Sequence, residues 1–116
     1  MKEYLLLFRG GDARTMLQSP ENFQEHMHRW MQWMGELTKD GTFVAAQPLN
    51  QTGMQIIGKN KVITDGPYIE GKEMVGGYLI CKANDYPHAL EIAKGCPILE
   101  FEDGIVEVRE IQELTM

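Results

Sequence analysis

The side chains best suited to chemistry stand beside breaks in the chain. Asp65 comes just before Gly66 and Pro67, where a strand leaves its sheet. A short carboxylate there bonds the N–H groups of its own turn, or it serves a ligand as a base or an orienting group. Lys72 and Glu73 precede a strand containing Gly76 and Gly77. They read as solvated loop charges, or as a clasp over a pocket that takes an anion. His26 is the more informative histidine. At about 100° per residue its direction falls between Trp33 and Leu37, inside an apolar helical stripe and near its edge. A histidine there needs a hydrogen-bond partner or gives up its charge. It is therefore either a satisfied core residue or a proton-transfer group at the rim of a cavity. Arg9 and Arg109 end or cross strands, where each could grip a carboxylate with two N–H groups or form an ordinary salt bridge. Tyr78, on the strand face opposite Leu79 and Cys81, completes the set of candidate ligand contacts.

Other chemistries lack their residues. His28 points away from His26, because positions two apart do not share a helix face, so the pair makes a poor metal site. His88 is expected at an exposed position early in a second helix. Met27, Met31 and Met34 with Trp30 and Trp33 read as core packing. No Gly-rich phosphate loop, Ser-His-Asp arrangement or metal-ligand cluster occurs, so neither a metal nor a cofactor is expected. Cys81 and Cys96 have no zinc or redox spacing and read as reduced thiols of a cytoplasmic protein. A formal net charge of -6 without any Lys/Arg run disfavours nucleic acid. The apolar start, Tyr4 to Phe8, is too short to span a membrane and reads as a strand.

These residues need a scaffold. The 116 residues, 43% hydrophobic and 24% charged, suit one domain over 1–116 with one core. A strand is expected over 3–8, apolar on both faces. Ser19 and Pro20 open a helix that runs to about Lys39 and ends at Asp40-Gly41. Phe23, Met27, Trp30, Met34 and Leu37 form its buried stripe, widened by Trp33 and Met31. Residues 43–53 read as a short extended stretch and a loop. Met54–Ile57 and Lys61–Thr64 form a hairpin. Val75–Lys82 is a strand whose paired glycines mark a bulge or a close backbone approach. Asp85 caps a second helix that buries Tyr86, Ala89, Leu90 and Ala93, and Gly95 and Pro97 stop it. A last strand covers about 105–111.

This order implies a ferredoxin-like α+β sandwich with an extra hairpin, both helices on one face of a mostly antiparallel sheet. The other face is not consistently polar. Large exposed apolar surfaces mark interfaces, so two copies are expected to pair through their open faces as a dimeric α+β barrel.

Thr64-Asp65-Gly66-Pro67-Tyr68, followed by Gly71-Lys72-Glu73-Met74-Val75-Gly76-Gly77-Tyr78, resembles the DGPF branch of the YCII-related family. In that branch Asp-Gly-Pro-Phe is followed by Lys-Glu, a short apolar pair, Gly-Gly and an aromatic residue. Further matches run through Tyr4 to Phe8, His26-Met27, Trp30, Gln47-Pro48-Leu49, Cys96-Pro97 and Val106 to Arg109. Tyr68 departs from the usual Phe but keeps its aromatic body. The resemblance implies the same fold, pairing as a dimeric α+β barrel. It also implies an enzyme-like His–Asp pair in a cavity, a role that fits Asp65 by the motif and His26 more loosely. Two functions compete. One is an enzyme moving protons on a small polar or aromatic molecule, with Asp65 and His26 as acid and base and Arg9, Lys72 or Arg109 stabilising negative charge. The other is a non-catalytic dimer that captures a small metabolite.

Overall fold

In the computed structural model, residues 1–10, 19–50, 52–66 and 74–114 are described. They form β1 (Lys2–Arg9), α1 (Pro20–Lys39), β2 (Phe43–Pro48), β3 (Gly53–Ile57), β4 (Val62–Gly66), β5 (Val75–Ala83), α2 (Tyr86–Ala93), a 3-10 turn (Pro97–Glu100) and β6 (Ile105–Glu110). Four strands make one sheet in the order β2-β5-β1-β6, every neighbouring pair antiparallel. Among the described residues, strands β3 and β4 pair only with each other, as a separate two-stranded sheet. This is the ferredoxin-like arrangement with an added hairpin.

Each helix is delimited by its caps. Ser19 Oγ accepts from the N–H of Asn22 at 3.3 Å, and Pro20 takes the first turn, where its missing N–H costs nothing. Asp40 closes α1, and Gly41, at φ +77°, turns the chain so that Thr42 can bond Leu37 O. In α2, Asp85 Oδ1 accepts from the N–H of His88, while His88 Nδ1 accepts from the N–H of Asn84. That reciprocal pair satisfies two donors at the helix start, as a capping box does.

The core lies between the helices and one face of the sheet. Tyr4, Leu6 and Phe8 of β1, Leu79 and Cys81 of β5, Trp33 and Leu37 of α1, and Ala89 and Ala93 of α2 are buried. The two alanines let α2 sit close to the sheet, and Trp33 Nε1 donates to Ile92 O at 3.2 Å, joining the helices. The paired glycines divide the two expected roles. Gly76 falls at a register shift between β1 and β5, whereas Gly77 packs against Gln47 O and Pro48 Cα of β2.

One expectation is sharpened and two need correction. First, the short extended stretch is a full edge strand of the main sheet, Phe43–Pro48. A register shift between Phe43 and Ala45 breaks its two-residue alternation, which hides it from pattern reading. Second, Tyr86 and Leu90 are not buried; each is nearly half exposed. Tyr86 instead lays its ring edge on Tyr4 and accepts from the N–H of Glu110 with its hydroxyl. Third, the stripe of α1 is covered only toward its C-terminal half, because Phe23, Met27 and Met31 are exposed.

Candidate functional site

The register puts Leu5, Leu7 and Arg9 of β1, Tyr78 and Ile80 of β5, and Ile105, Glu107 and Arg109 of β6 on the side of the sheet away from the helices. Leu5, Leu7, Tyr78 and Ile80 are each partly exposed there. At the centre, Arg9 Nη2 donates to Glu107 Oε1 at 2.6 Å, a charge-assisted bond. Arg9 Nε is buried with no hydrogen-bond partner among the described residues. Arg109 reaches Glu107 only at 4.0 Å, with most of its side chain exposed. Three of the expected residues, Arg9, Tyr78 and Arg109, therefore share one face, and Glu107 joins them.

His26 lies elsewhere, on α1. Trp30 Nε1 donates to His26 Nε2 at 2.8 Å. An indole N–H can only donate, so Nε2 is the unprotonated nitrogen and Nδ1 carries the hydrogen. Glu100 Oε2 stands 3.8 Å from Nδ1, an ion-pair distance beyond a hydrogen bond, while Glu100 Oε1 forms an ion pair with Arg29, 2.6 Å from its Nε. The imidazole meets Phe101 edge-on, ring centroids 5.5 Å apart. Burial holds the His26 pKa below its usual value; Glu100 pulls it back up, and Arg29 pushes it further down. Arg29 and Glu100 were not among the sequence candidates. Arg29 shares the helix side of His26, three positions on, but nothing in the sequence links either residue to a distant turn at Glu100.

Asp65 is exposed on β4, opposite Met54. Among the described residues no hydrogen bond or ion pair joins it to His26. Lys72 and Glu73 lie outside the described residues. Burial pushes the Cys81 and Cys96 thiols up to about 11 and about 12, so neither is a ready nucleophile. Among the described residues no group of three or more His, Cys, Asp or Glu is placed to hold a metal ion, and no helix is long and apolar enough to cross a membrane. An open groove of about 400 Å³ runs between α2 and β6, lined chiefly by Leu90, Ala93, Leu99, Val106 and Val108. None of the described site candidates lines it.

A search of the curated proteins finds no match. The family model for the YCII-related domain matches residues 3–115, nearly the whole chain.

Proposed function

Because the chain belongs to the YCII-related family, we propose that it works as a cytoplasmic homodimer that takes a small anionic or polar molecule against the helix-free face of its sheet. Arg9, Tyr78 and Arg109 hold the ligand in this reading, with Lys72 as a further cation, and no metal takes part. One observation carries it: Arg9 Nε is buried and, among the described residues, unpaired while the same guanidinium is bound through Nη2 to Glu107. A buried unpaired donor costs about 1–3 kcal/mol, which a ligand oxygen recovers. A thermal-shift screen of small carboxylates, phosphates and phenols tests it. A ligand of the folded state raises the melting temperature, and Arg9→Met should abolish that rise. If no compound stabilises the protein, or if R9M keeps the full response, the reading fails.

A second reading, a proton-transfer enzyme using Asp65 and His26, is favoured by the lowered pKa of the partly buried His26 ring beside Glu100. Isomerase, lyase and hydrolase chemistry all suit such a pair. Turnover of any compound found in the screen should then fall by about 100-fold or more in both Asp65→Asn and His26→Gln. Binding without turnover in the unmodified protein leaves the non-catalytic dimer as the answer.

A further inference from the structure

The β3–β4 hairpin is apolar in a way the described residues do not use. Cross-strand pairing of Met54 with Asp65 and of Ile56 with Ile63 puts these four side chains on one face. Met54, Ile56 and Ile63 are 69%, 69% and 63% exposed. On the other face Ile57 and Val62 are also more than half exposed. An isolated two-stranded hairpin is marginal in water, so a surface with this composition needs a cover. The chain's radius of gyration is 15.9 Å, whereas a compact chain of this length has about 13 Å. Among the described residues the hairpin joins neither edge of the main sheet, and we call it the arm.

The helix-free face has the complementary character. Around its half-exposed Leu7, Tyr78 and Ile80 it carries Arg9, Arg109 and Lys82 against two carboxylates, Glu3 and Glu107. The face is locally cationic on a chain of net charge -6. The arm offers a carboxylate, Asp65, set among apolar side chains. We infer that the arm of one protomer lies against the helix-free face of a second copy, bringing Asp65 beside Arg109 of the partner subunit. Each ligand site is then built from two chains, with Asp65 acting in trans. This deepens the preceding proposal and rests on its homodimer.

Charge exchange between chains tests it. Two variants, Asp65→Arg and Arg109→Asp, are prepared with distinguishable tags and mixed with each other. In trans, each homodimer holds two like-charge contacts, while the heterodimer holds one native and one exchanged pair. Native mass spectrometry should then show heterodimer outnumbering the two homodimers together by about fivefold or more. Equal amounts, the statistical result, overturn the trans arm and leave the dimer standing. Persistent monomers in the mixture, with the unmodified protein dimeric, also overturn it. If the unmodified protein is itself monomeric at micromolar concentration, the homodimer fails and this inference falls with it.

Discussion

His26 shows how a side chain bonded through one ring nitrogen responds to pH. The Trp30 N–H bond requires Nε2 to be unprotonated, and burial lowers the ring's pKa. The fold therefore favours the neutral ring. Above a pH of about 6.5 both folded and unfolded states hold it neutral, and its full contribution to stability is present. As pH falls below that value the unfolded chain binds the proton first, so the contribution shrinks until the folded ring also titrates. His26→Gln should accordingly cost stability at about pH 7.5, and the gap between variant and parent should narrow by about pH 5 in denaturant titrations. A gap constant over that range would mean that His26 has the same pKa in both states. Trp30→Phe keeps most of the packing on Phe8, 5.1 Å between centroids, but removes the donor. It should cost about 1 kcal/mol and move the His26 pKa upward, a change that proton NMR of the imidazole follows directly. A pKa unmoved by W30F would show that the indole bond plays no part in holding the ring neutral.

At the scale of elements, the sequence was most legible where local chemistry and tertiary packing agree. Ser19-Pro20 and Asp85 begin their helices as expected, because an oxygen cap acts within one turn and needs no distant partner. Legibility ended where a partner strand decides. The β2 strand was hidden by the shift at Phe43 and Ala45, and the exposed Phe23, Met27 and Met31 depend on what α1 rests against, which periodicity cannot report. The candidate site divides in the same way. Arg9 and Arg109 could be placed on one face by counting residues along strands, but their shared partner Glu107 follows from the pairing of β1 with β6. The two glycines of β5 give a test of this argument. A Cβ at Gly77 would stand 3.0 Å from Gln47 O, whereas one at Gly76 would meet nothing within 4 Å. Gly77→Ala should cost about 1–3 kcal/mol by pushing β2 off the sheet. Gly76→Ala should fall within about 1 kcal/mol of neutral. Chemical denaturation of the two variants separates them, and equal costs would mean that the close approach of β2 is not what requires glycine at 77.

At the scale of the whole molecule the question is what covers the sheet. The chain extends 48 × 46 × 20 Å, and its shortest dimension holds two layers, helices and one sheet. A stable domain buries both sides of a sheet whose strands are apolar on both sides, and β1 is such a strand: Tyr4, Leu6 and Phe8 face the core while Leu5 and Leu7 face away. Leu7 sits at the middle of the helix-free face, between Tyr78 and Glu107. A carboxylate in its place would be tolerable in a monomer, since the side chain points away from the core. Between two apposed sheets it would be an unpaired buried charge, costing several kcal/mol. Leu7→Glu should therefore convert a dimer to a monomer at micromolar concentration in light scattering, with the far-ultraviolet circular dichroism of the parent preserved. Ile56→Glu on the arm should weaken the dimer less, by about tenfold in its dissociation constant, because the arm is a smaller part of the proposed interface. A fully dimeric L7E protein would show that this face lies open, and the cover would then have to be sought on the exposed half of α1.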